Sequence, residues 1–474
     1  MDLIPKPDQV ASAASNVAHK MLYGGLADLR PMPRTLIDDG VLREVYHYRP
    51  SKRVKEEGDP VLLVTPLAAP ALCFDLRRGC SLVEHLVTGG RPTYLVEYGE
   101  VSFANRALGM EHWVDEVIPA AVEEVSAHAG GRPVHVVGWS LGGIFAMLTA
   151  ADRPDLPIAS LTVVGSPVDV TQVPLVAPIR PLLNITDGGG LVTQLYRLLG
   201  GAPKPLVRRA FQLSSFNKLV TKPLAIAAKL DDTDFLAQIE AVDRFTANMI
   251  AYPGRTFGQL YHRILKGNQL ATGVVRMDDR DIDLADIAVP MLVFAGGSDG
   301  IAPVRSIRPI EDLATGAPSV RFEVVPGGHL GMLTGRAARQ TTWRIIDEFL
   351  DTHATAPAAP APKKAAGRSA KAVKATRTAT GTKPAKTAKT AKAASAAQTA
   401  KKTPAKKAPA KKAAAQQHTS RSAATTPAGR TASAHKAPAR RSGKQATLPN
   451  ASAIGSNPTR RYGSASSRSL ASRP

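Results

Sequence analysis

Apolar positions along the first 350 residues fall into two patterns that alternate. Short Val-rich runs bounded by Gly or Pro recur as PVLLVT (60–65), PTYLVE (92–97), PVHVVG (133–138), SLTVVG (160–165), MLVFAG (291–296) and VRFEVV (320–325). Unbroken apolar runs of this length fit strands buried on both faces. Between them, SLVEHLV, EHWVDEVIPAAVEEVSAH, LGGIFAMLTAA and RAARQTTWRIIDEFL repeat their apolar residues at helical spacing. Strands alternating with helices predict an open, mostly parallel α/β sheet covered on both sides. The alternation stops between about 170 and 280, where LVTQLYRLL, PLAIAAKL and FLAQIEAVDRFTANMI are apolar but helical in pattern. A helical insertion between two strands predicts a cap over the carboxyl edge of the sheet; additional helical core is the plain alternative. Residues 1–40 read as a weakly amphipathic extension. The core is therefore expected at 41–169 and 281–353, with the cap at 170–280.

Charge changes the picture at one end only. The residues after Asp351 hold 26 of the 61 Lys and Arg and no Asp or Glu, so the net +22 belongs to them. The remainder has 35 basic against 39 acidic residues and is slightly acidic. Segment 354–474 is built from Ala, Lys, Pro, Thr and Ser, with Tyr462 as its one aromatic residue. It has too little apolar surface to offset chain entropy, which predicts disorder. Such a polycation is expected to bind DNA or another anionic surface non-specifically, through counterion release. With no fold and a single aromatic residue it should not read base sequence. Its composition resembles linker-histone tails and some granule-associated phasins; a merely solubilising tail is the alternative.

Cys73 and Cys80 are the two cysteines, too few for a disulfide framework and without metal-site spacing. No metal or cofactor is expected. The first thirty residues lack the charged and apolar regions of a secretory leader. The run VLLVTPLAAPALCF is short and broken by Pro66 and Pro70, so no transmembrane segment is expected. A cytoplasmic protein is the expectation.

The chemistry concentrates where PVHVVG passes into LGGIFAML. Gly138-Trp139-Ser140-Leu141-Gly142 is a G-x-S-x-G pentapeptide between a predicted strand and a predicted helix. That is the context of the nucleophile elbow of α/β hydrolases. Side chains at Gly138 or Gly142 would collide with the neighbouring strand and helix. The turn lifts the Ser140 hydroxyl above the sheet edge and aims the Leu141 N–H at a developing oxyanion. A second donor is expected from the loop after PVLLVT, around Leu67 or Ala68. Serine needs a base held by a carboxylate. Asp299 follows MLVFAG, and His329 follows VRFEVV. Both therefore sit past the carboxyl ends of strands, at the edge that carries the elbow. The order Ser, Asp, His is that of α/β hydrolases. A chance pentapeptide, an Asp299 that caps a helix and a turn histidine are the alternatives. His47, His85, His112, His135 and His262 lie inside strand or helix patterns and read as structural.

Through most of 45–350 the chain resembles the polyhydroxyalkanoate synthases and their actinobacterial relatives. The resemblance is carried by PVLLVTPLAAPALCFDLRRGCSLVEHLVTGGRPTYLVEYG, SPVDV (166–170), Asn268 with Gly273, DLADIAVPMLVFAGGSD and GGHLGMLTGRAA. It implies an α/β-hydrolase fold and acyl-transfer chemistry at Ser140. Synthases of that family carry Cys at this place, where the growing chain is held as an activated thioester. Neither Cys73 nor Cys80 lies in the elbow. A serine ester is less activated, which suits discharge to water or an alcohol. The expected activity is that of a serine acyl hydrolase or acyltransferase on an apolar ester or thioester, such as an acyl ester or acyl-CoA. A polyester synthase running on Ser is the runner-up, and a non-catalytic granule- or nucleoid-associated protein is the third reading. The resemblance also implies a lipid or polyester inclusion surface as a partner.

Overall fold

The computed structural model describes residues 6–174, 176, 190, 194, 197–214 and 216–355. From residue 356 onward the expected basic tail lies outside the described residues, as does most of LVTQLYRLL. Eight strands form the main sheet: β1 (Arg34–Gly40), β2 (Arg43–Tyr48), β3 (Val61–Val64), β4 (Thr93–Glu97), β5 (Val134–Trp139), β6 (Ile158–Val164), β7 (Met291–Gly296) and β8 (Val320–Val325). Their spatial order is β1-β2-β4-β3-β5-β6-β7-β8. From β4 to β8 every neighbouring pair is parallel, while β1 and β2 form an antiparallel hairpin that joins β4 at the edge.

The six Val-rich runs are the six parallel strands; burial of the five inner ones explains their lack of polar alternation, while β8, at the sheet's edge, is only half-buried and carries Arg321 and Glu323. In β3, Leu62 and Val64 face one core while Val61 and Leu63 face the other. Met291, Val293 and Ala295 of β7 likewise oppose Leu292 and Phe294. The first core is closed by α3 (Ile118–His128) and α4 (Leu141–Asp152), the second by α2 (Leu82–Thr88) and α9 (Thr342–Thr352).

Residues 34–40 require a correction, because they do not belong to an N-terminal extension. They are strand β1, paired from Arg34 with Tyr48 to Gly40 with Arg43. An edge strand leaves one row of backbone groups unpaired and is protected by charged residues. RTLIDDG therefore lacks the apolar signature of its buried neighbours. Upstream of it, α1 (Pro7–Tyr23) docks through Asn16, which donates to the Leu230 carbonyl at 2.8 Å and accepts from Thr233 Oγ1 at 2.8 Å.

Between β6 and β7 lie α5 (Lys204–Ser214), α6 (Phe216–Ala227), α7 (Thr233–Ala247) and α8 (Gly254–Gln259). Asp232 caps α7 by accepting from Phe235 N–H at 2.8 Å. The buried face of α7 carries Ala237, Ala241 and Phe245. No helix among the described residues is long and apolar enough to cross a membrane.

Candidate active site

Between the end of β5 and the start of α4 stands a single residue, Ser140. Its backbone has φ 53° and ψ −121°, a conformation that L-residues adopt only when their surroundings impose it. The surroundings do so by close approach of backbone to backbone. A Cβ on Gly142 would lie 2.4 Å from the Val64 carbonyl oxygen, and one on Gly138 would lie 2.6 Å from Gly143 Cα. The turn is also tied by hydrogen bonds. Ser140 N–H donates to the Val164 carbonyl at 2.8 Å, and the Ser140 carbonyl accepts from Ile144 N–H at 3.1 Å. Ser166 Oγ donates to that same carbonyl at 2.6 Å from a fully buried position.

The two other predicted residues meet the serine. His329 Nε2 lies 2.9 Å from Ser140 Oγ, and His329 Nδ1 lies 2.8 Å from Asp299 Oδ2. The second Asp299 oxygen, Oδ1, accepts from Ile301 N–H at 2.8 Å and Ala302 N–H at 2.9 Å. Asp299 thus caps its own turn and holds the imidazole with different oxygens. The loops after β7 and β8 touch through Ser298 N–H, which donates to the Gly327 carbonyl at 3.0 Å. Trp139 closes the arrangement: its Nε1–H donates to the His329 carbonyl at 3.1 Å, and its ring lies 5.0 Å from the imidazole. Phe245 of α7 packs edge-on against Trp139 at 6.0 Å, so the helical insertion touches the site's wall.

Ala68 has φ 71°, and its carbonyl accepts from Ile250 N–H at 2.8 Å. Leu67 and Ala68 are both buried. Among the described residues, no hydrogen bond occupies the N–H of Leu67, Ala68 or Leu141, which leaves these amides available as donors. Two contributors escaped the sequence reading, Ser166 and Trp139. Ser166 had a signal, since it follows a Gly at the carboxyl end of β6, on the same edge as the elbow. The histidines read as structural have partners of their own. His47 meets Glu56, His85 meets Asp347, and His135 bonds Ser160 across to the next strand.

The alpha/beta hydrolase family matches residues 53–340. The chain is 25% identical over 301 residues to a poly(3-hydroxyalkanoate) polymerase subunit PhaC of Allochromatium vinosum, covering 63% of this chain and 82% of that protein. It is 23% identical over 317 residues to the corresponding subunit of Haloferax mediterranei, covering 64% of this chain but only 60% of that longer protein. Among solved structures, a soluble variant of monoglyceride lipase from Saccharomyces cerevisiae is similar with a TM-score of 0.44 and 13% identity, over 70% of this chain and 96% of that one. The chain belongs to the alpha/beta hydrolase family, as a member similar to the poly(3-hydroxyalkanoate) polymerases.

Proposed function

We propose that the chain is a serine acyl hydrolase or acyltransferase acting on an apolar ester or thioester, with Ser140, His329 and Asp299 as its catalytic triad. The observation that carries this reading is the continuous relay from Ser140 Oγ through both imidazole nitrogens to a carboxylate, at 2.9 and 2.8 Å. In this mechanism His329 Nε2 takes the Ser140 proton as Oγ attacks the acyl carbon. Asp299 fixes the tautomer that leaves Nε2 free to accept, and it steadies the imidazolium. The Leu141 N–H, at the start of α4, donates to the oxyanion together with an amide of the Leu67–Ala68 turn. The His329 proton then goes to the leaving alcohol or thiol. Water or an acceptor alcohol discharges the ester by the same steps in reverse. The apolar helical insertion, which reaches the site through Phe245, supplies the acyl-binding wall. No step calls for a metal or cofactor.

A fluorophosphonate probe should label wild-type protein at Ser140, and acyl esters or hydroxyacyl-CoA should compete for it. If wild type and Ser140→Ala are equally inert toward the probe and every ester, the reading fails. Similarity to polymerases favours a second reading, polymer synthesis from Ser140. Product analysis with hydroxyacyl-CoA separates the two, free acid marking hydrolysis and oligomeric ester marking synthesis. The basic tail is proposed to bind DNA or another anionic surface, including that of a storage inclusion. Its DNA affinity should fall with salt at a log–log slope of about −0.9 per phosphate contact, and removing 355–474 should abolish it.

A further inference from the structure

Away from the serine site, a cavity of different character opens in the structure. Arg106, Arg197 and the run carrying Arg255, Gln259, His262 and Arg263 line a cavity of about 540 Å³. Small-molecule sites span about 300–1,000 Å³. None of Ser140, Asp299 or His329 lines this one, so it stands independently of the triad.

Its charge is arranged in two halves. Arg255 and Arg263 share the same two carboxylates: Glu111 lies 3.2 Å from Arg255 and 3.3 Å from Arg263, and Asp278 bonds both. Gln259 Nε2 donates to the Glu111 carboxylate at 2.8 and 2.9 Å. These contacts fix two guanidinium groups in the wall and saturate both acids. Arg106 only stacks on Phe103 at 4.5 Å and donates to that residue's carbonyl at 3.1 Å. Among the described residues, neither Arg106 nor Arg197 forms an ion pair with a carboxylate. Four guanidinium charges against two carboxylates leave an excess of two positive charges. The His262 imidazole responds to this field: burial, then the charges of Lys266 and Arg197, hold its pKa below the ordinary value.

We propose that this cavity binds the phosphate of a small molecule, as a phosphomonoester or diphosphate. Guanidinium forks match phosphate oxygens two at a time. A phosphomonoester carries about −1.5 to −2 charges at neutral pH, which matches the excess. A lone carboxylate would leave half of that excess uncompensated. A soluble nucleotide and a lipid headgroup both carry such a phosphate, and the experiment separates them.

Calorimetric titration of the full chain with adenosine 3′,5′-bisphosphate, with inorganic pyrophosphate and with phosphatidic acid vesicles tests the site at physiological ionic strength. Saturable one-to-one binding is expected. It should weaken by about ten-fold or more in an Arg106→Gln, Arg197→Gln double variant, since two charge-assisted contacts are lost. Neither substitution strands a carboxylate, and thermal melting checks that the variant is folded. If the double variant melts early, the single Arg197→Gln variant, altered at an exposed residue, makes the same comparison. Arginine-dependent binding of the bisphosphate or pyrophosphate assigns a soluble ligand; the same dependence confined to vesicles assigns a lipid headgroup. Equal affinity in wild type and both variants would trace the binding to the basic tail and overturn the proposal. So would failure of all three probes to bind.

Discussion

Asp299→Asn is the sharpest test of the relay, because the structure dictates which way the new amide must turn. Asp299 Oδ1 accepts from two backbone N–H groups, at 2.8 and 2.9 Å, so only an oxygen can occupy that corner. The asparagine must therefore place its oxygen there and its NH₂ toward His329 Nδ1, 2.8 Å away. An NH₂ is a donor, so Nδ1 becomes the acceptor and the imidazole proton moves to Nε2. Nε2 then has no lone pair for the Ser140 proton. Loss of tautomer control of this kind costs about 10⁴ in kcat, which is about 5.5 kcal/mol of activation free energy. Stability should change little, since both backbone hydrogen bonds survive. Asp299→Ala differs, for it orphans the buried Ala302 N–H, at about 1–3 kcal/mol, and the half-buried Ile301 N–H. The assay is single-turnover acylation of Ser140 by an activated ester, with ¹⁵N chemical shifts of His329 reporting the tautomer. Should Asp299→Asn acylate within ten-fold of wild type while its proton sits on Nε2, the argument from tautomer control is wrong.

Three further outcomes follow from named contacts. Gly142→Ala would place a methyl 2.4 Å from the Val64 carbonyl and 2.7 Å from that of Thr65; overpacking should cost about 1–3 kcal/mol in a thermal melt, and displacement of the Leu141 amide should lower kcat by about 10²-fold or more. Unchanged melting and turnover would dismiss the close-packed elbow. Trp139→Phe removes the donor to the His329 carbonyl at a cost of about 0.5–1.5 kcal/mol; kcat should fall while KM holds, and a change in KM alone would contradict a positioning role. Stability should also depend on His135, whose pKa burial depresses to about 4 against the opposing pull of Asp59 at 3.9 Å. Between pH 6.5 and about 4 the unfolded chain binds this proton and the folded chain does not, so stability falls as pH drops through that window, by up to about 3 kcal/mol. Denaturant midpoints across this range should slope less for His135→Asn, and identical slopes would exclude His135 as the source.

How legible each feature is depends on whether its signal is local. The five inner parallel strands announce themselves because both faces are buried, so runs such as VLLV and MLVFAG need no polar residue, whereas β8, at the sheet's edge, keeps Arg321 and Glu323 in VRFEVV. The β1–β2 hairpin is hidden for the converse reason, as RTLIDDG and REVYHY keep charges on an exposed edge. Ser140 is legible through the glycines flanking it, whose missing side chains are a local requirement. Asp299 and His329 are legible because each follows a strand end in the right order. The capping alternative for Asp299 is not a rival, since a carboxylate has one oxygen for its own turn and one for the imidazole. Ser166 and Trp139 act through backbone carbonyls, which leave no mark on the residue types they bind. The arginine cavity is least legible, because Arg106, Arg197 and Arg255 come from three distant segments.

The strand that contributes no member of the relay sets its dimensions. β6 lies between β5, which leads to Ser140, and β7, which leads to Asp299. Its end carries Gly165 and Ser166, which act on the two sides of the gap. Ser166 ties the strained carbonyl of Ser140 at 2.6 Å. Gly165, at φ 63°, lies directly under the imidazole: a Cβ there would stand 3.4 Å from both Cε1 and Nδ1 of His329 and 3.2 Å from Met332 Cε. With contacts of 2.8 and 2.9 Å on either side, His329 can move only a few tenths of an ångström before one hydrogen bond lengthens past use. The ring is therefore fixed by its two hydrogen bonds and by Trp139 at its side, with Gly165 passing beneath it without a side chain. Its position between Asp299 and Ser140 is a property of the packed sheet edge, and the loop carrying it need not be rigid by itself.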